Sequence, residues 1–130
     1  LYHNNDKRGR MRNLSFLFLL PLIIGCSVNQ TEESVFGASY TISLSERTPF
    51  LEENILNISL YYSGCSNDHS FLLKKRASTS RTEVWLFKET PDQPCDGIVS
   101  EVRNFEVPQE ILKQKSIIFL TPIGESVVLK

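Results

Sequence analysis

The chain has 130 residues, with 14 Lys and Arg against 15 Asp and Glu, 41% hydrophobic residues and three cysteines. That length holds one domain of ordinary size and not two independent cores. Four basic residues and one acidic residue precede Leu14, leaving ten basic against fourteen acidic residues from Cys26 onward, a formal charge of −4 that argues against a nucleic-acid or anionic-lipid partner.

Lys7, Arg8, Arg10 and Arg12 precede an apolar run from Leu14 to Ile24, interrupted only by Ser15 and Pro21. A basic segment followed by so short an apolar run matches an export signal, whereas a membrane-spanning helix needs about 20 apolar residues. Ile23, Ile24, Gly25 and Cys26 then resemble the lipobox of bacterial lipoproteins. The resemblance implies that the Cys26 thiol is acylated (a palmitate-type modification) and becomes the first residue after the signal is removed. Two or three acyl chains anchor firmly, since each buried methylene contributes about 0.8 kcal/mol. Ser27, rather than an aspartate, follows the cysteine. In a cell with two membranes the resemblance therefore implies the outer one, or the periplasmic face of the envelope. Met11 stands where a natural start would be, so residues 1–10 are expected to be upstream translated sequence, and 1–25 are set aside from the fold.

Residues 26–34 are polar and acidic and are expected to form a lipidated tether, with the folded domain covering 35–130. Period-two alternation then dominates, the mark of half-buried strands. Tyr40, Ile42 and Leu44 alternate with Thr41 and Ser43. A loop over 46–54 containing Pro49 leads to Leu56, Ile58, Leu60 and Tyr62, which alternate with Asn57, Ser59 and Tyr61. His69, Phe71 and Leu73 share a face, and the basic run Lys74, Lys75, Arg76 reads as the solvated tip of a hairpin returning through Val84 to Phe87. Glu89 to Asp96, with Pro91 and Pro94, is a turn-rich link.

Along Gly97 to Val107 the expected inward residues are Ile98, Val99, Val102, Phe105 and Val107, with a bulge where the alternation slips between Val102 and Phe105. A single helical turn is expected within 109–115, and Ile117 to Leu120 with Ser126 to Leu129 form a closing hairpin. These elements define an all-β domain, an antiparallel immunoglobulin-like β-sandwich of about seven strands, the alternative being a small β-barrel.

With Cys26 committed to lipid, Cys65 and Cys95 form an even pair in an exported domain, and a disulfide is expected. Closing a loop of about 31 residues stabilises a fold by about 3 to 4 kcal/mol on the chain-entropy model. The bridge would draw together two candidate binding loops bearing Ser66, Asn67, Asp68 and His69 on one side and Asp92 and Gln93 on the other.

Sulfur, imidazole and carboxylates in this region raise a metal site as an alternative, but the spacing lacks any CxxC or HxxxH and sulfurs joined to each other cannot bind an ion. No metal or other cofactor is expected. His69 is the one histidine after Cys26, and a bridged Cys65 cannot serve as nucleophile, so no catalytic residues are assigned. Asp92, Asp96 and Glu89 lack calcium-loop spacing. Tyr61, Tyr62, Trp85 and Phe87 read mainly as core aromatics.

The motif Gly64-Cys65 with His69 and Phe71, followed by Asp92 and Cys95, loosely resembles small bacterial lipoproteins and implies no activity. The function expected is a lipid-anchored, non-catalytic envelope module that is structural or binds a protein partner. The alternative is a periplasmic or surface inhibitor of a protease or lysozyme, although the Ser-Gly-x-x-Tyr signature of lysozyme inhibitors is absent.

Overall fold

A computed structural model describes residues 34–130, which lie in a compact unit spanning Glu32–Lys130. The expected signal, Cys26 and all but the last residue of the expected tether lie outside the described residues. The chain forms β1 (Thr41–Ile42), β2 (Phe50–Glu52), β3 (Ile55–Ser63), β4 (Phe71–Ala77), β5 (Thr82–Lys88), β6 (Ile98–Glu106), α1 (Gln109–Leu112), β7 (Ile117–Leu120) and β8 (Ser126–Val128). Two four-stranded sheets make up the sandwich, and neither closes into a barrel.

In the first sheet β3 is central, with β1 and β2 pairing successive parts of one side and β6 running the full length of the other, all antiparallel. Leu56, Ile58, Leu60 and Tyr62 turn inward and are buried, as their alternation requires. The second sheet has the order β4-β5-β7-β8. Its β5–β7 pair is parallel, so the sandwich is not wholly antiparallel. Parallel neighbours need a crossover, and here the chain supplies it by leaving β5, crossing to the first sheet as β6 and returning through α1.

The core joins Tyr40, Ile42, Leu56, Ile58, Leu60 and Tyr62 to Phe71, Val84, Leu86, Ile117 and Phe119, and Val107 and Ile111 close it beside α1. Each such side chain, fully buried, contributes about 1.5 to 3 kcal/mol. Tyr40 adds a polar tie between layers by donating its hydroxyl to the Leu86 carbonyl at 2.5 Å. Burial pushes the Tyr40 phenol far up, so it stays a donor across the usable pH range.

Four expectations are corrected. The loop expected over 46–54 contains β2, which pairs Phe50–Glu52 with Ile55–Asn57 around a turn where Glu53 takes a positive φ of 54°. The basic run is not a hairpin tip: Lys74, Lys75 and Arg76 lie within β4, and the turn is Ser78–Arg81, closed by Ser78 N–H donating to the Arg81 carbonyl at 2.9 Å. β6 has no bulge, since its register against β3 is unbroken from Ile98↔Ser63 to Glu106↔Ile55. Ile98 and Val102 consequently point outward, 74% and 55% exposed, while Glu101 and Arg103 point toward the sandwich interior beside Val99 and Phe105. Finally, of the four aromatics read mainly as core, Tyr62 is buried, while Tyr61 lies on the opposite face of β3 as the alternation places it. Trp85 and Phe87 lie on the outer face of the second sheet beneath Arg76 and Lys74, and Tyr61 is exposed.

The segment before β1 extends the second sheet. Lys88 N–H donates to the Phe36 carbonyl and Ala38 N–H to the Lys88 carbonyl, forming a parallel bridge at Gly37 in line with β7. Gly37 has φ of +73°, and a Cβ there would sit 2.3 Å from the Lys88 carbonyl oxygen. Both constraints demand glycine. Gly37→Ala is therefore expected to destabilise the domain by more than about 1 kcal/mol, read as a lower urea midpoint at unchanged slope.

Candidate functional site

The expected disulfide is present at one end of the sandwich. Cys65, two residues beyond β3, is bridged to Cys95 in the β5–β6 link, with Cα atoms 5.5 Å apart. Hydrogen bonds bind the same two loops. Cys65 N–H donates to Gln93 Oε1 at 3.0 Å and Gly64 N–H to the Gly97 carbonyl at 3.1 Å. Ser70 N–H donates to Thr90 Oγ1 at 2.7 Å and the Ser70 hydroxyl to Glu89 Oε2 at 2.5 Å.

Ser66, Asn67 and Asp68 form the exposed crest of the first loop. The Ser66 hydroxyl donates to Asp68 Oδ1, and this bond holds the Asp68 carboxyl below its ordinary range. The Asn67 carbonyl accepts from Arg103 Nη2 at 3.1 Å, which fastens the crest to β6.

His69 lies beneath the crest rather than in it, 1% exposed. Its ring stacks on Tyr62 with centroids 4.4 Å apart, and Gly64 covers it so closely that a Cβ at Gly64 would lie 2.9 Å from Cε1 and Nε2. Neither imidazole nitrogen has a hydrogen-bond partner among the described residues. Tyr62 in turn donates its hydroxyl to Glu101 Oε1 at 3.0 Å, and that same oxygen accepts from Arg103 Nε at 2.7 Å. Burial first, and then the Glu101 carboxylate, push the Tyr62 phenol up.

Lys88 is the residue the sequence reading missed. It ends the inward row Thr82, Val84, Leu86 of β5 and is 1% exposed. Its ammonium donates to Asp92 Oδ1 at 3.0 Å and the Ser39 carbonyl at 3.1 Å, and lies 5.2 Å from the centre of the Tyr62 ring. Asp92 Oδ1 also accepts from Ser39 N–H at 3.1 Å. Partial desolvation raises the Asp92 carboxyl, but the bonds from Lys88 and Ser39 outweigh it and the net shift is downward. The clue in the sequence was a lysine at a core position of an alternating strand, four residues before an aspartate.

The structure thus brings all six expected loop residues to one end of the domain but divides their work. Ser66, Asn67 and Asp68 face solvent; His69, Asp92 and Gln93 hold the loops in place. Among the described residues no group of three or more His, Cys, Asp and Glu lies close enough to share a metal ion. A separate open groove of about 540 Å³ lies beside β1, lined by Ser43, Glu46, Tyr61 and Ile98 and by Ile123 of the β7–β8 turn. Comparison with protein-family models, curated proteins and solved structures finds no match to this chain.

Removing Asp92 leaves a buried ammonium with one carbonyl partner, whereas replacing Lys88 by an apolar chain of similar length removes the charge itself. Asp92→Ala is expected to destabilise by about 1 to 3 kcal/mol, discounted for the exposed side of the carboxylate, and Lys88→Met by less, both read by thermal melting. Because folding lowers the Asp92 pKa, its contribution is complete above the ordinary carboxylate range and disappears as pH falls through the lower folded value. The acid limb of melting temperature against pH should be shallower in Asp92→Asn than in the parent.

Proposed function

We propose that this chain is an exported, lipid-anchored and non-catalytic module that presents a disulfide-clamped pair of loops to another protein of the cell envelope. The observation that carries this reading is the Cys65–Cys95 bridge, since such bonds persist in oxidising compartments and are rare in the cytosol. The anchor rests on the sequence from Met11 to Cys26, where a basic start, a short apolar run and Gly25-Cys26 follow in order.

The binding element rests on pre-organisation. The Ser66–Asp68 crest is exposed yet fixed at both sides, by the disulfide and by Arg103, so little conformational freedom is lost when a partner docks. The non-catalytic element rests on His69, whose ring is sealed under Gly64, and on the engagement of both sulfurs with each other.

The decisive measurement is the mass of the amino-terminal peptide from the native host. An acylated Cys26 as first residue is expected, together with release of the chain from membranes to the soluble fraction in Cys26→Ala. An intact leader on an unmodified, cytosolic protein overturns the reading. Reduction of the purified protein is expected to lower its stability by about 3 to 4 kcal/mol, with a matching fall in the urea midpoint.

A further inference from the structure

Among the described residues β6 lies at an open sheet edge, and its unpaired side is unlike the other edges of the sandwich. β1, β2 and β8 present two or three residues each, and β4 carries Lys74, Lys75 and Arg76, the kind of charge that keeps edge strands from pairing. β6 presents nine residues, and its outward row, Ile98, Ser100, Val102, Asn104 and Glu106, contains no cation.

The phase of the ladder makes this row a template. Gly64 N–H bonds to the Gly97 carbonyl and Val107 N–H to the Asn54 carbonyl, which fixes the odd-numbered residues of this stretch as those whose backbone faces β3. The even-numbered residues turn their N–H and C=O groups away from β3, with no backbone partner among the described residues.

We propose that β6 pairs antiparallel with β6 of a second copy of this chain, centred on Val102 opposite Val102, so that the two first sheets become one continuous sheet. The strand is self-complementary in that register. Ser100 meets Asn104 of the other copy in a hydrogen-bonded pair, and on the inner face Val99 meets Phe105. Glu101 meets Arg103 twice, at the close approach of about 4.5 Å between Cα atoms that non-hydrogen-bonded pairs allow. Sliding the strands by two residues one way sets Glu101 against Glu101, and the other way Arg103 against Arg103. Sliding by one brings up backbone groups already used by β3. Within a single copy the Glu101–Arg103 pair uses Oε1 and Nε, leaving Oε2 and Nη1 with no partner among the described residues. These are the atoms that reach across.

The test uses the purified full chain carrying Cys26→Ser, so that an introduced thiol is the only free one, with a mild thiol oxidant. Val102→Cys is expected to give a disulfide-linked dimer, because the register sets the two Cα atoms about 5.5 Å apart. Ser100→Cys alone is expected to remain monomeric, its two copies being offset by four residues or roughly 13 Å, while Ser100→Cys mixed with Asn104→Cys links. Val102→Pro removes one outward N–H and spares the β3 ladder. It is expected to lower the dimer fraction in sedimentation with the Cys65–Cys95 bridge and the melting temperature retained. Monomer throughout in folded chains overturns the proposal, as does equal linking of Val102→Cys and Ser100→Cys. Neither result bears on export or lipidation.

Discussion

The Lys88 ammonium is the point through which one end of this domain is organised. Its backbone closes the Gly37 bridge, its side chain holds Ser39 and Asp92, and its charge faces the ring of Tyr62, against whose other neighbours His69 and Glu101 are set. A charge taken wholly out of water is tolerated only with good partners. Lys88 therefore dictates where the incoming segment and the β5–β6 link must lie. The disulfide ties that same β5–β6 link to the loop between β3 and β4 from outside, restricting the unfolded chain, whereas Lys88 and Asp92 specify which folded arrangement results.

The combination withdraws His69 from solvent and joins the sulfurs of Cys65 and Cys95 to each other. His69 needs a flat surface above and below, which Gly64 and Tyr62 provide. Asp92 Oδ1 accepts from Lys88 and Ser39, and Gln93 Oε1 from the Cys65 amide. The Ser66–Asp68 crest faces solvent, held from below by these contacts.

The sandwich was legible because β3 alternates with its apolar residues turned inward, and because Val84 to Phe87 and Ile117–Leu120 are short apolar runs that form β5 and β7, although no alternation in those runs told which face of β5 turns inward. The cysteine pair was legible from parity once Cys26 was assigned to lipid. β2 was hidden because three residues are too few to display a period and Pro49 precedes them. The basic run within β4 was hidden because an edge strand with one solvated face loses its alternation in charges. The parallel β5–β7 pair follows from how the layers stack, which no local pattern records. At the site, the cysteines and the two loops could be found from sequence, but Lys88 and Tyr62 could not be placed without knowing which strand ends meet.

β6 shows a different kind of concealment. Its alternation slips in the sequence because the inward row holds Glu101 and Arg103 where a core strand would carry aliphatic groups, and the outward row holds Ile98 and Val102. Read as a rule of burial, that arrangement is inverted and invites a bulge. Placed at a sheet edge, it is consistent: two opposite charges two residues apart on one face define a register for a neighbouring strand, and uncharged residues on the other row leave the backbone open to receive it. A polar pair retained at the margin of a core adds little stability compared with apolar packing, but it separates one pairing from its near alternatives by charge. Local conflict between pattern and burial therefore falls in this chain at Lys88, where the fold is specified, and at Glu101 and Arg103, where the proposed partner is.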